Sequence, residues 1–566
     1  MSNRATQRLQ AISAQINPEG GEKPFFESLR LHRKPDQVPY LSKLDPLRFL
    51  LRSAVVYADK TAIIHRNRTH TYRDLSERVR ALANTLIDDY HVKTGDRVAI
   101  LCQNITPFVD AQFAIPATGA ILVPMNHRLA AKEIEYIIGH SGATVVIIQE
   151  EFLDRLTEKV KPFIKVIPVA DCDDATQDPY EQLLVNSKQR LSWNEMPLVE
   201  DENAVISINY TSGSTGRPKG VMVTYRGAYL TALTVSLHDG LNNDSVLLWT
   251  LPMFHCNGWG FIWASVAVGA AQVMLNKLDY TYIWELFKEH GVTHYCGAPT
   301  VQNEICVHKD AVRLNHRVRA FCGGAALSST AIKRMRALNL EPTHVYGLTE
   351  TYGPAGLTYD PSTLSQYDEP TQHKLLARQG FSTIVSDEIR VIDRETMQDV
   401  VPNAKHIGEI CLSGNQVMKG YYMNPEETEK SFKGGVFWTG DLAVRHSDGA
   451  IEIVDRGKDV IVSGGENVSS LEVESVLVQL EEVMECAIVA APHEKWGETP
   501  VAYIVLKENR KLDEETVIKH CREHLAGYKR PTKVIFIDAL PKTSTCKTQK
   551  YILRETLWKG IEKRIN

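Results

Sequence analysis

The stretch YTSGSTGRPKGVMVT, Tyr210 to Thr224, decides how this chain is read. It is dense in Gly, Ser and Thr, carries one lysine that matters, Lys219, and lies between two apolar runs. Small residues let several backbone N–H groups and hydroxyls converge, which is how a loop cradles a polyphosphate. An ordinary P-loop places four residues between two glycines, follows them with Lys and Ser or Thr, and starts a helix at once. Here only two residues separate Gly213 from Gly216, Lys219 follows Pro218, and GVMVT reads as a strand. A hairpin turn is the plain rival, because Gly/Ser/Thr clusters between strands usually are turns. The length of the run and its lysine favour phosphate.

Composition sets the frame. A chain of 566 residues, 43% hydrophobic and 23% charged, has ordinary globular composition and room for several packed subdomains. A formal net charge of -5 gives no basic footprint, so nucleic acid is not the expected partner. No apolar run reaches the length of a membrane span, and the N-terminus lacks a signal-peptide core. Ten cysteines without a CxxC pair point to reduced thiols rather than a disulfide framework or zinc site.

From about Asp45 to Gln149, helical patterns (LSERVRALANTLIDDY) alternate with β-branched strands (RVAIL, ATVVII), the mark of layered α/β structure with parallel strands. The pattern returns after the phosphate loop, with the strand SVLLWT, a Gly-rich helix from Gly258, AQVML, TYIWELFKEHG and VTHYCG. A smaller β subdomain is expected between about Gly380 and Asp455. A capping box, Ser469 with Glu472, should open a helix soon after. The last hundred residues read as a compact α+β lid. The expected division is an N-terminal extension over 1–44, a large N-terminal domain of layered α/β subdomains over 45–457 and a mobile C-terminal lid over 458–566.

The ordered motifs resemble the adenylate-forming superfamily of acyl-CoA synthetases, luciferases and peptide-synthetase adenylation domains, from about Asp45 to the C-terminus. LPMFHCNGWG (Leu251 to Gly260), YGLTETYGP (Tyr346 to Pro354) and LLARQG (Leu375 to Gly380) are most similar to acyl-activating enzymes of the medium-chain and aromatic type. The resemblance implies an acid–thiol ligase: a carboxylate attacks the α-phosphorus of ATP, pyrophosphate leaves, and CoA then attacks the acyl-AMP. ATP, Mg2+ and CoA are the implied small molecules.

Residue by residue, the resemblance implies that Thr211, Ser212, Gly213, Ser214, Thr215 and Gly216 wrap the β and γ phosphates, with Lys219 adding positive charge. Ser214 stands where many relatives have Thr. Thr349 would hydrogen-bond the α-phosphate and Glu350 would hold the metal. Gly323, Gly324 and Ala325 would lie against adenine, with Tyr346 also at the nucleotide. Asp441 would accept the ribose hydroxyls beside Arg456. Lys547 would bridge the substrate carboxylate and α-phosphate, supplying charge and position. The residue before it is Cys546, where the superfamily has glycine; a positive φ there would strain a cysteine.

Lys458 matches the hinge, and Ser463, Gly464 and Gly465 the pantetheine tunnel. Phe254, His255, Trp259, Gly347 and Gly353 would line the acyl pocket, His255 as a gate or as a satisfied core histidine. Acetate-specific relatives have Trp at the position of Gly347, so glycine there implies a pocket open to longer acids. Amino-acid adenylation would need an aspartate near the gate and a carrier domain. A luciferase-like oxygenase and a catalytically impaired nucleotide-binding protein also compete with the ligase. RLQAISAQI, Arg8 to Ile16, resembles a bipartite peroxisomal address, which implies an import receptor as partner; an amphipathic tail in a cytoplasmic enzyme is the rival. A homodimer is left open.

Overall fold

The computed structural model describes residues 41–211, 218–325, 327–463, 466–543 and 548–559. Its architecture follows from two kinds of apolar segment. Strands such as Arg97–Leu101 and Val145–Gln149 are buried along nearly their whole length, as parallel strands covered on both faces must be. The helix Thr106–Ala117 is buried at every residue. A helix apolar all round needs packing on every side. It finds it between two sheets.

The first is a seven-stranded sheet in which Ile121–Pro124, Arg97–Leu101, Val145–Gln149 and Lys165–Val169 run parallel, and Val205–Thr211, Lys219–Thr224 and Gly420–Tyr421 complete one side. The second has nine strands, with His294–Gly297, Val318–Cys322 and Leu340–Leu348 parallel at its centre. One core cluster joins Val98 and Ile100 of the first sheet, Ile63 and Phe321 of the second, and Phe108, Leu82 and Trp263 from the helices between. Further clusters cover the outer faces: Ile134 and Ile137 on the first, Trp284, Ile305 and Met335 on the second. The result is five alternating layers of helix and sheet. Removing Phe108 from the middle layer would cost about 3–5 kcal/mol.

The long helix Tyr72–Asp88 shows how local sequence sets an element. The Thr71 hydroxyl accepts from Asp74 N at 3.1 Å and the Asp74 carboxylate accepts from Thr71 N at 2.8 Å, a reciprocal cap.

A four-stranded antiparallel sheet, Arg390–Ile392, Ile407–Leu412, Phe437–Arg445 and Ile451–Arg456, fills the expected β region. The chain then passes to a five-stranded sheet, from Ile461–Ser463 through Val483–His493 and Gly497–Leu506 to Lys533–Phe536. This sheet carries its own core, including Val473, Ile488 and Cys521. The nine described cysteines are free thiols. No helix among the described residues is long and apolar enough to cross a membrane.

Two local expectations are corrected. Ser469 does cap the helix Ser470–Leu477, accepting from Glu472 N at 3.1 Å, but the Glu472 carboxylate turns to Lys529 Nζ at 2.7 Å, so the cap is one-sided. The helix expected from Gly258 begins at Phe261. The residues before it take a conformation that sequence periodicity does not describe.

Candidate active site

The residues flanking the glycine-rich stretch form an antiparallel pair, Val205–Thr211 with Lys219–Thr224, and Thr211 sits opposite Lys219. The strand after the loop excludes the strand-then-helix geometry of a P-loop. Ser212, Gly213, Ser214, Thr215 and Gly216 lie outside the described residues, as do Gly464, Gly465, Cys546 and Lys547.

Lys219 Nζ reaches Glu427 Oε1 at 2.5 Å and lies 4.8 Å from the centre of the Tyr421 ring. The Lys219 ammonium holds the Glu427 carboxyl below its usual range. The Tyr421 hydroxyl donates to Glu350 Oε1 at 2.8 Å. Burial, with the Glu350 charge second, raises the phenol's pKa, so it stays a donor. Lys219 and Glu350, more than a hundred residues apart in sequence, are thus joined through Tyr421. Neither Tyr421 nor Glu427 was expected. Both lie in YYMNPEETE, whose only sequence signal is the helix start at Asn424 and Pro425.

A second corner is built by register. Asp441 and Arg456 face each other on paired strands, with Arg456 Nε 3.1 Å from Asp441 Oδ1. Tyr346 OH donates to Asp441 Oδ2 at 2.9 Å. The adjacent Asp441 charge, acting against burial, raises the Arg456 pKa further. Gly440, at φ 78°, turns the chain so that its N–H reaches the buried Glu409 carboxylate at 2.8 Å. The three nucleotide residues expected from sequence meet at one point.

Between these corners, Thr349 and Glu350 sit in the short turn Thr349–Thr351. The Thr351 hydroxyl ties it down, donating to Gly353 O at 2.8 Å and accepting from Leu348 N at 2.9 Å. Cys256 Sγ donates to Thr349 Oγ1 at 3.6 Å, which brings the acyl-site motif against the expected α-phosphate threonine.

That motif has an unusual backbone. Cys256, Asn257, Gly258, Trp259 and Gly260 all have positive φ, between 48° and 80°. Such a conformation costs an ordinary L-residue roughly 1–2 kcal/mol, with Asn and Gly penalised least. Surroundings fix it. A Cβ on Gly258 would lie 2.5 Å from the Trp249 ring, and one on Gly260 would lie 2.7 Å from Thr231 Cγ2. Upstream, the Asn104 side chain donates to Trp249 O at 2.8 Å and Leu251 O at 2.9 Å and accepts from Met253 N at 2.7 Å. Sequence reading missed Asn104, because nothing local ties it to a loop nearly 150 residues away.

Phe254 and Trp259 are buried, while His255 is half-buried with its ring edge-on to Trp259 at 6.3 Å. A Cβ on Gly323 would lie 3.0 Å from the Trp259 indole and 2.8 Å from Val345 Cγ2. Gly323 is therefore where a close approach demands glycine. Gly324 follows at φ 86°, with Ala325 next in the chain. Gly347 does not report an open pocket, contrary to expectation. A Cβ there would lie 2.0 Å from the carbonyl oxygen of Gly353, so main-chain contact dictates the glycine and says nothing about acid length. Gly353 itself presses on the Trp259 backbone, its own Cβ position 3.2 Å from Trp259 O.

At the end of the four-stranded sheet, Gly457 N donates to Gly440 O at 3.0 Å, and Asp459 N to Arg456 O at 2.8 Å. Lys458 is half-buried there; burial, and next the Arg456 charge, lower its pKa. Arg554 pairs with Asp459, and Lys550 Nζ with Glu474 Oε1 at 2.8 Å. The helix that follows Lys547 is thereby moored beside Lys458. Ser463 is buried and pairs with Gly497.

Known proteins match this arrangement along almost its full length. The AMP-binding enzyme family matches residues 50–422, and the AMP-binding enzyme C-terminal domain matches residues 472–547. The chain is 40% identical to 4-hydroxybutyrate–CoA ligase 2 of Metallosphaera sedula, over 91% of this chain and 95% of that protein. It is 37% identical to acetate–CoA ligase CCL3 of Humulus lupulus, over 92% and 96%. It is 36% identical to the peroxisomal trans-cinnamate:CoA ligase of Petunia hybrida, over 90% and 94%. Among solved structures, ATP-bound MatB from Rhodopseudomonas palustris superposes with a TM-score of 0.81 at 25% identity, covering 92% of this chain and all of that one. Taken with the paired corners and the strand-bounded glycine loop, these likenesses show that the chain belongs to the AMP-binding enzymes and is an ATP-dependent acid–thiol ligase of the acyl-CoA synthetase type.

Proposed function

We propose that the enzyme activates a monocarboxylic acid with a short to medium alkyl chain or an aromatic body. The convergence of Asp441, Tyr346 and Arg456 at one corner and Lys219, Tyr421 and Glu350 at the other supports the nucleotide half of this reading. It gives two polar anchors with the turn Thr349–Thr351 between them. Asp441 and Arg456 hold the ribose. Residues 211–216 and Lys219 hold the triphosphate tail, and Thr349 the α-phosphate. Lys547 arrives with the C-terminal domain, Lys458 serves as pivot, and Ser463 to Gly465 line the path of the CoA arm.

Glu350 fits a magnesium ion: a hard carboxylate, one oxygen fixed by Tyr421 and the other left to the cation. When bound, the ion would neutralise phosphate charge. A solved relative, the o-succinylbenzoate–CoA synthetase of Bacillus subtilis, was crystallised with ATP and magnesium.

The acid side is supported by Phe254 and Trp259, which offer apolar burial worth about 0.8 kcal/mol per CH₂. With Gly347 silent on length, acetate stays inside the range. Relatives named for acetate, 4-hydroxybutyrate and cinnamate mark its breadth. The peroxisomal matrix is the proposed location. Arg8 to Ile16 lies outside the described residues, and relatives from Arabidopsis thaliana and Petunia hybrida are peroxisomal by name. A panel of straight-chain acids, benzoate and cinnamate tests the activity, scored by exchange of labelled pyrophosphate into ATP and by thioester formation with CoA. Exchange with several panel acids and thioester only with CoA is expected; exchange with none of them overturns the reading.

A further inference from the structure

Asn104 joins the two large sheets at the level of the site. It stands just beyond the carboxyl end of strand Arg97–Leu101 in the seven-stranded sheet, before the helix Thr106–Ala117. Its side chain crosses to the residues just beyond the carboxyl end of strand Val246–Leu248 in the nine-stranded sheet. Crevices outside the carboxyl ends of strands are where open α/β sheets bind small molecules.

After Leu248 the chain leaves the sheet, so its peptide groups lose their ladder partners and have to be satisfied in another way. One amide does this. Asn104, 7% exposed, directs both N–H groups at Trp249 O and Leu251 O and its oxygen at Met253 N. Among the described residues it is the only hydrogen-bond partner of Leu251 O and Met253 N. Aspartate would bring no donor and serine only one. An asparagine uses its whole hydrogen-bonding capacity here.

The segment held in this way leads into the acid-site motif. Trp249 is fixed at two points, its carbonyl by Asn104 and its indole Nε1 by Gln272 Oε1 at 3.0 Å. Its ring then lies 2.5 Å from where a Cβ on Gly258 would stand, which shapes the left-handed turn. Met253 runs directly into Phe254, whose ring meets His127 edge-on at 5.3 Å. Asn104 therefore constrains the run from Phe254 to Trp259 at both ends, through Met253 N at its start and through the Trp249 ring at the turn.

We propose that Asn104 is a positioning residue for the acid, which sets Phe254 and the Gly258 turn and leaves nucleotide affinity alone. The proposal rests on the reading of Phe254 and Trp259 as walls of the acid site. It adds that their placement is governed from the opposite sheet.

A second buried amide supplies the matched comparison. Asn84, 1% exposed, completes a distant backbone in the same manner, donating to Leu191 O at 3.1 Å and accepting from Leu191 N at 2.7 Å. Its helix, Tyr72–Asp88, gives no residue to either corner of the site. The test is steady-state pyrophosphate release by the full-length enzyme with CoA, varying ATP and the fastest acid of the panel above in turn, together with the melting temperature of each variant. Asn104→Ala should raise the acid KM about tenfold and leave the ATP KM within about twofold. Asn104→Ser, which keeps one donor, should raise the acid KM about threefold and decides the matter alone if the alanine variant does not fold. Asn84→Ala should lower the melting temperature with both KM values within about twofold of wild type. An acid KM unmoved in the Asn104 variants, a matching rise in their ATP KM, or an equal rise of acid KM in Asn84→Ala overturns the proposal while leaving the acid reading intact. A wild-type enzyme that turns over none of the panel acids removes that reading, and this role with it, before any variant is made.

Discussion

The Asp441 corner and the Lys219 corner hold the same kind of pair, a cation against a carboxylate, yet they are built differently. Asp441 and Arg456 are locked by strand register, and a buried tyrosine supports the carboxylate. Lys219 and Glu427 are both partly exposed, and Glu427 comes from a short surface helix. One corner is finished before any ligand arrives. At the other, Glu427 already holds Lys219, so on the proposed reading nucleotide would compete for that ammonium. Sugar recognition should therefore cost little reorganisation, and phosphate recognition should carry most of the response to binding.

The sharpest way to separate these regions from the chemistry is Lys547→Ala. It should lower acyl-AMP formation by about 10³-fold, the scale of losing one transition-state donor, while sparing thioester formation from presynthesised acyl-AMP. Equal loss in both half-reactions would take Lys547 out of its role. At the finished corner, Asp441→Asn leaves Arg456 facing a neutral amide. It should reduce kcat/KM for ATP about 10²-fold, a loss of roughly 3 kcal/mol, with acid KM little changed.

Glu427→Gln at the other corner should act in the opposite direction. Freeing Lys219 from a half-exposed pair worth at most about 1 kcal/mol should lower KM for ATP by about threefold. A rise would mean that Glu427 itself serves the phosphate or its metal. Outside both corners, the buried Asp239 acts as a control. Burial raises its pKa to about 8, and neither carboxylate oxygen has a partner among the described residues. The folded state holds this proton more tightly than the unfolded chain, so its stabilisation is complete below about pH 4 and lost as pH rises towards 8. Asp239→Asn should raise the melting temperature at pH 8 by about 3 °C and have a clearly smaller effect at about pH 5, vanishing towards about pH 4; an equal shift at about pH 8 and pH 4 would remove ionisation as the cause.

How much of this was legible in sequence follows the range of the interactions. The layered strands and helices were readable because their periodicity is local: RVAIL, ATVVII and LSERVRALANTLIDDY each became the expected element. Motif order also placed Asp441, Arg456 and Tyr346, which the fold then brought together. Asn104, Tyr421 and Glu427 were invisible because each acts on a segment distant in sequence, with no periodic or compositional trace. The helix start expected at Gly258 fell three residues early, because the apolar run FIWASVAV carries the helical signal and nothing local marks residues 256–260 as left-handed. Gly347 was misread for a related reason. An absent side chain looks like space until the neighbouring strand is seen.

That last contact constrains how the enzyme could diversify. With the Gly353 carbonyl 2.0 Å from where a side chain at 347 would start, the boundary there is peptide group rather than residue, and it offers mutation nothing to adjust short of unpairing the strands. In this chain a change of acid preference would therefore be sought in the residues flanking Phe254 to Trp259 rather than at position 347.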